Sequence, residues 1–96
     1  MPKGYVVGQI DINNPERYGD YVAKVSATVA EHGGQYLIRG GKTEVKEGTW
    51  LSRTVVIEFP TFEAAKGWYE SPAYQEIVGI RLEASSGNLT LVEGVE

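Results

Sequence analysis

The chain has 96 residues, of which 42% are hydrophobic, and its 9 Lys and Arg against 13 Asp and Glu give a net charge of −4. This length predicts one domain over residues 1–96, and the hydrophobic content excludes a disordered chain. The absence of cysteine excludes disulfides and thiolate metal sites, and the acidic balance without a basic run argues against nucleic acid and anionic membranes as partners.

The first half of the chain predicts a strand, a helix and a second strand. Residues 4–12 form a β-type run with apolar side chains on both sides. Asn13-Asn14-Pro15 then gives a cap followed by a proline at the first helical position, and Gly33-Gly34 ends the helix. Residues 35–39 are predicted as a short strand. The helix carries one apolar stripe, made of Tyr18, Tyr21, Val22, Val25 and Val29.

The second half predicts a strand, a broken helix and a last strand. Residues 51–59 give the strongest β signal, because they are rich in β-branched side chains. Thr61 can cap a helix, and Ser71-Pro72 repeats the signature of a cap followed by proline, so that this helix breaks and restarts. Residues 85–88 are predicted as a turn, and residues 89–92 as a short final strand. Residues 42–49 are polar and predict a hairpin loop or a frayed extension of the strands.

The order of these elements is the split β-α-β-β-α-β arrangement, an α+β fold of the ferredoxin-like kind. It places four strands in one antiparallel sheet with the helices on one face. The first and third strands carry apolar residues on both sides, whereas an open face exposed to water would alternate with polar ones. We therefore expect a second copy of the chain to cover the other face, giving a homodimer.

Few residues suggest catalysis. His32 is the only histidine and follows the first helix, where a cation favours the helix dipole. No phosphate-binding loop and no nucleophile elbow occurs, so we expect no nucleotide cofactor and no nucleophilic serine. No paired His or His-Glu spacing occurs either, so we expect no metal site. The N-terminal residues lack the long apolar region of a signal peptide, and no apolar stretch approaches the roughly 20 residues that span a bilayer. A soluble, cytoplasmic protein is expected.

Polar residues interrupt strands that otherwise look buried. Gln9, Arg39 and Glu58 each share one side of a strand with apolar neighbours. A buried charge is costly unless it is paired or hydrogen-bonded. Arg39 and Glu58 could therefore pair with each other, within the chain or across a dimer interface. Alternatively, they could line a cavity between sheet and helices, in which Arg39 binds a small anionic or polar ligand.

Arg81 adds to the second alternative, because its spacing keeps it on the apolar stripe of the last helix. At the edge of the stripe its head group would reach water; facing inward, it could join Arg39 in holding a carboxylate. Several aromatic side chains are either core residues or the wall of such a pocket: Trp50, Trp68, Tyr69 and Tyr74.

Several short motifs follow one another at close spacing from Gly4 to Gly94. They are Gly4-Tyr5, Asn14-Pro15-Glu16 with Tyr18 and Tyr21, Gly33-Gly34, Arg39-Gly40-Gly41, Val56-Ile57-Glu58-Phe59-Pro60, Trp68-Tyr69-x-Ser71-x-x-Tyr74, Arg81 and Leu91-Val92-Glu93-Gly94. As a set they resemble the DUF1330 family of uncharacterised, mostly bacterial proteins. The resemblance implies a dimeric α/β barrel of two ferredoxin-like sheets packed face to face. Residues 82–87 are less typical of the family.

Two functions follow as hypotheses. In the first, the protein is a cofactor-independent enzyme or a binder of a small polar or anionic organic ligand. Arg39 and Arg81 would hold the charge of the ligand, Tyr74 would donate a hydrogen bond, and Glu58 or His32 would move a proton. In the second, it is a non-enzymatic homodimeric structural or interaction module, in which these polar residues are structural.

Overall fold

The computed structural model of the chain describes residues 2–96. Its elements are β1 (Gly4–Ile12), α1 (Pro15–Glu31), β2 (Gln35–Arg39), β3 (Arg53–Phe59), α2 (Phe62–Glu70), α3 (Pro72–Ala84) and β4 (Ser85–Glu93). The strands form one antiparallel sheet in the order β2-β3-β1-β4. This confirms the predicted α+β fold with a four-stranded antiparallel sheet. Among the helices of residues 2–96, none combines the length and the apolarity that crossing a membrane requires.

The core lies on one side of the sheet, here called the inner face. Val6 and Ile10 of β1 and Ile57 and Phe59 of β3 are at most 3% exposed. Side chains from all three helices join them in a single buried cluster; these include Tyr18, Tyr21, Val25, Val29, Ala65, Trp68, Tyr74, Ile77 and Val78. The residues that alternate with the buried ones point to the opposite side, here called the outer face, and remain partly or fully exposed.

Ser71 separates α2 from α3 and belongs to the caps of both. Its backbone N–H donates to the Trp68 carbonyl oxygen at 3.2 Å, and its side-chain oxygen accepts from the Tyr74 backbone N–H at 3.2 Å. One short polar residue thus satisfies backbone groups at two helix ends. The predicted break in the second helical region is confirmed, as are the caps at Asn14 and Thr61.

The last strand is longer than the sequence indicates. Residues 85–88, predicted as a turn before a strand over residues 89–92, instead begin β4, which follows α3 with no loop. They pair with residues 9–12 of β1. Gly87 fits there because it has no side chain: a Cβ at this position would overlap the backbone carbonyl of Gln9. The glycine in this turn-like segment therefore reflects the close packing of β4 against β1.

The third strand is shorter than predicted. The sequence indicated residues 51–59, but the backbone N–H groups of Leu51 and Ser52 donate to the side chains of Gln9 and Asp11, at 3.4 and 2.8 Å. Because these groups bond to side chains of β1, the backbone ladder of β3 starts only after them. Residues 42–49, left open between a loop and a frayed strand, form an irregular loop.

Replacing Gly87 with alanine should destabilise the fold, because the new methyl group has no room against the backbone of Gln9. We expect a loss of about 1–3 kcal/mol in the free energy of unfolding, measured by urea denaturation. Gly67→Ala is the matched control, since no atom lies within 4 Å of its new Cβ and alanine favours the helix. Equal stability of Gly87→Ala and the wild type would contradict the packing described for β4.

Candidate ligand-binding site

A small cavity lies between the inner face of the sheet and the helices. Its volume is about 30 Å³, room for roughly two water molecules. Aliphatic side chains and Trp68 form much of its wall. The remaining wall is made by three tyrosines and three arginines, contributed by α1, β2, β3 and α3: Tyr18, Tyr21, Tyr36, Arg39, Arg53 and Arg81. The lining, apolar with a few convergent polar groups, is of the kind found in small-molecule sites, and the volume is well below theirs.

Arg81 is buried within the last turn of α3, with only 6% of its surface exposed. Its Nε donates to the hydroxyl of Tyr74 at 3.3 Å. That hydroxyl is also hydrogen-bonded to the hydroxyl of Tyr21, at 2.8 Å. Because a guanidinium has donors only, the Tyr74 oxygen must act as the acceptor toward Arg81. The three side chains form a continuous chain of hydrogen bonds from α3 to α1.

The surroundings of Tyr21 and Arg81 keep both side chains protonated. Burial raises the pKa of the Tyr21 hydroxyl well above its usual value, and the neighbouring Tyr74 adds to the effect. Burial alone would lower the pKa of Arg81, but the interactions of its guanidinium with Tyr74, and with Tyr21 and Tyr69 in addition, together raise the pKa. At neutral pH the site therefore offers the neutral hydroxyl of Tyr21 near the permanent positive charge of Arg81.

The cavity has cations on its wall without matching anions. Within residues 2–96, no carboxylate oxygen lies within 4.0 Å of a guanidinium nitrogen of Arg39, Arg53 or Arg81. Arg39 is exposed and donates to the hydroxyl of Ser26 at 3.1 Å. The guanidinium of Arg53 lies 5.7 Å from the ring centre of Tyr18. Guanidinium groups without a carboxylate partner can bind an anionic group of a ligand through charge-assisted hydrogen bonds.

An irregularity in β2 decides on which face Arg39 lies. The register with β3 shifts between Tyr36 and Ile38, so that Arg39 pairs with Val55, on the inner face. Tyr36 pairs with Ile57 and therefore lies on the same face. The shift brings the Arg39 guanidinium to 4.1 Å from the centre of the Tyr36 ring, a distance typical of a cation–π contact.

The predicted pair of Arg39 and Glu58 does not form within the chain, because the two residues lie on opposite faces of the sheet. Glu58 is on the outer face, beside Tyr5 in the register. Its carboxylate accepts from Lys3 Nζ and from the Tyr5 hydroxyl, both at 3.3 Å. Strict alternation along β2 would have placed Arg39 on the face of Glu58; the register shift is the reason it is not there.

The structure places the predicted site residues in two groups. Arg39 and Arg81 both line the cavity, and Tyr74 reaches it through its hydrogen bond to Arg81. Glu58 and His32 are not among the lining residues. His32 caps the end of α1, where its Nδ1 lies 3.1 Å from the carbonyl oxygen of Thr28.

The predicted aromatic wall is only partly present. Trp68 lines the cavity, whereas Trp50 is 45% exposed and its indole N–H donates to Thr54 on the outer face. Four of the tyrosines and arginines of the wall were not singled out from the sequence as ligand contacts: Tyr18, Tyr21, Tyr36 and Arg53. The signal for Arg53 was present, since it lies two residues before Val55 and so shares a face with the inward-facing apolar residues of β3. Within residues 2–96, no three His, Asp or Glu side chains come together as metal ligands.

Comparisons with known proteins support the fold and the family. The family model described as "Domain of unknown function (DUF1330)" matches residues 3–95. A search of curated proteins found no significant match. A crystal structure of a Rhodopseudomonas palustris protein of unknown function is similar, with a TM-score of 0.73 and 16% identity, over 99% of this chain and 84% of that one.

Two further solved structures share the fold. SnoaB, described as a cofactor-independent oxygenase from Streptomyces nogalater, has a TM-score of 0.67 and 12% identity, over 100% of this chain and 96% of that one. A Thermobifida fusca protein of unknown function, described as dimeric and ferredoxin-like, has a TM-score of 0.66 and 12% identity, over 99% and 92%. At these identities the likeness shows the fold alone.

The raised pKa of Tyr21 predicts a loss of stability at high pH. The folded protein keeps the Tyr21 proton where the unfolded chain, with a pKa of about 10, has released it. The contribution is complete below about pH 10 and decreases above it, by up to about 1.4 kcal/mol per pH unit. Urea unfolding at about pH 9 and about pH 11 measures the slope.

Tyr21→Phe should flatten this dependence, because the titrating group is gone. Tyr5→Phe, which removes a hydroxyl on the outer face, is the control for the loss of any tyrosine hydroxyl. A Tyr21→Phe variant with the pH dependence of the wild type would show that Tyr21 titrates normally in the folded protein.

Proposed function

This chain belongs to the DUF1330 family, described as a domain of unknown function, and we propose that its own function is to bind a small anionic organic ligand in the cavity. One observation carries the proposal. Arg81 is a buried cation on the cavity wall, and no carboxylate of residues 2–96 compensates its charge.

The energetic argument concerns the cost of burying a guanidinium. Moving a charge out of water costs several kcal/mol unless it is paired and hydrogen-bonded. The hydrogen-bond partner of the Arg81 side chain is the neutral hydroxyl of Tyr74, which cannot neutralise the charge. A carboxylate or an enolate in the cavity would accept from the remaining N–H groups of Arg81, and Tyr21 supplies a hydroxyl at the same wall.

Turnover of the ligand without a cofactor extends this proposal. It is supported by the fold shared with a protein described as a cofactor-independent oxygenase. On the cavity wall, the hydroxyl of Tyr21, itself hydrogen-bonded to that of Tyr74, is placed to donate a hydrogen bond or a proton. Glu58 and His32, which the sequence suggested for proton transfer, lie outside the cavity of one chain, and the proposal gives them no part.

Pairing with a second copy through the outer face forms a separate part of the proposal. Apolar side chains from all four strands lie on this face: Val7, Ile38, Val56 and Val92. Ile38 and Val92 are 44% and 45% exposed. A structure of the same fold is described as dimeric. Packing two outer faces together would give the dimeric barrel. The same observation favours the second candidate function, a non-enzymatic homodimeric interaction module.

Ligand binding is tested by thermal shift with a panel of small carboxylates and phenols. The melting temperature of the wild type should rise with at least one carboxylate. Arg39→Ala should reduce this rise with little change in the melting temperature without ligand, because Arg39 is exposed. Arg81→Met should abolish it, and Arg17→Met, which changes an exposed arginine paired with Glu83, is the matched control. If every carboxylate leaves the wild type unchanged, the binding function is wrong.

Dimer formation is tested by sedimentation velocity at micromolar concentration. Ile38→Glu places a charge on the outer face and should shift the protein from dimer to monomer, because burying an unpaired carboxylate is costly. Leu82→Glu is the matched control, since Leu82 is 62% exposed on α3, away from the sheet. A wild type that sediments as a monomer, or an Ile38→Glu variant that remains dimeric, would contradict pairing through this face.

A further inference from the structure

We propose that the ligand carries two anionic groups, as a short dicarboxylate does, with one group bound by Arg81 and the other by Arg53. This inference rests on the proposed binding function and names the class of ligand. Arg53 is therefore a ligand-binding residue in addition to those that the sequence indicated. It begins β3, on the inner face, and lines the cavity together with Arg81.

The first observation is an unsatisfied donor. The Nε atom of Arg53 is buried and has no hydrogen-bond acceptor among residues 2–96. A buried N–H group of a charged side chain that lacks an acceptor costs more than a neutral one, and nearly all such groups in folded proteins have a partner. Because Arg53 stands on the cavity wall, a ligand oxygen in the cavity is the acceptor that would satisfy it.

The second observation is that the backbone makes room for this guanidinium. Gly40 has a φ of +72°, and a Cβ at this position would overlap Nη1 of Arg53. The Gly40 N–H donates to the carbonyl oxygen of Thr54 at 2.8 Å, so the glycine is held in place against β3. The guanidinium of Arg53 therefore packs directly against the backbone of Gly40.

The two arginines reach the cavity from different layers of the structure. Arg53 extends from the sheet and lies over the ring of Tyr18, whereas Arg81 extends from α3 and contacts Tyr74. The rings of Tyr18 and Tyr21 have their centres 5.6 Å apart and follow one another along α1 between these two contacts. One carboxylate at Arg81 leaves the Nε of Arg53 without an acceptor, whereas a second carboxylate on the same ligand satisfies it.

The size of the cavity limits the length of the ligand. A volume of about 30 Å³ is far below the roughly 150 Å³ of a cavity that accepts benzene. Malonate and succinate have more non-hydrogen atoms than benzene, so either requires the wall to open, and the shorter ligand requires the smaller opening. Arg39 is the wall residue best able to move, because it is exposed and its side chain makes a single hydrogen bond, to Ser26.

The test is isothermal titration calorimetry at pH 7 with matched ligands. Malonate and succinate are compared with propionate and butyrate, which resemble them but carry one carboxylate, and with inorganic phosphate as a compact anion. We expect the dicarboxylates to bind about tenfold or more tightly than the monocarboxylates, because the second carboxylate adds a charge-assisted hydrogen bond.

Variants assign the second carboxylate to Arg53. Arg53→Gln should lower the affinity for succinate to that for butyrate and leave butyrate unchanged. Arg53→Lys keeps the charge but removes the Nε–H, and should recover only part of the difference. Arg17→Gln, on the surface, is the control and should change neither. Circular dichroism shows that each variant is folded.

The outcomes separate this inference from the proposed function. Butyrate binding as tightly as succinate, or phosphate binding more tightly than either, would overturn the dicarboxylate while leaving an anion-binding cavity. An Arg53→Gln variant with an unchanged preference for succinate would overturn the role of Arg53. If no anion in the series binds the wild type, the proposed function fails, and the inference fails with it.

Discussion

The packing of the three helices over the sheet depends on the hydrogen bonds of the Tyr74 hydroxyl. Tyr74 has no exposed surface, and its oxygen meets the hydroxyl of Tyr21 on α1 and the guanidinium of Arg81 on α3. Its ring stands against that of Trp68, with the ring centres 4.2 Å apart. One side chain thus links three helices above the sheet and holds a positive charge inside the core. A buried polar group fixes its surroundings in this way only when its partners are in place.

Local signals in the sequence were sufficient for most of the fold. Asn14, Thr61 and Ser71 are short polar residues that accept from backbone N–H groups, and each begins a helix where the sequence predicts one. Such caps act within three or four residues, so they can be read from the chain without its tertiary contacts. The start of β4 could not be predicted in this way. The glycine at position 87 is required by the backbone of β1 beside it, which is a tertiary contact.

The site was less accessible to sequence reasoning than the fold. Arg81 could be placed on the apolar stripe of its helix by periodicity, and the structure has it buried there. Arg53 follows from the same logic applied to a strand, since its spacing of two and four residues puts it on the face of Val55 and Ile57. The contacts among these side chains could not be predicted in this way, because residues distant in sequence meet only once the sheet and the helices have packed together. Periodicity indicates the face on which a side chain lies, but not its neighbours across the core.

The register shift in β2 has a consequence for how the chain tolerates changes in length. Side chains of a strand alternate between its two faces. The one extra residue between Tyr36 and Ile38 therefore moves every later side chain of the strand to the opposite face. Deleting a single residue there would preserve the composition of the edge strand and most of its pairing. It would nevertheless transfer the positive charge of Arg39 from the core side of the sheet to the outer face. For this edge strand, an insertion or deletion is equivalent to relocating a charged group across the sheet.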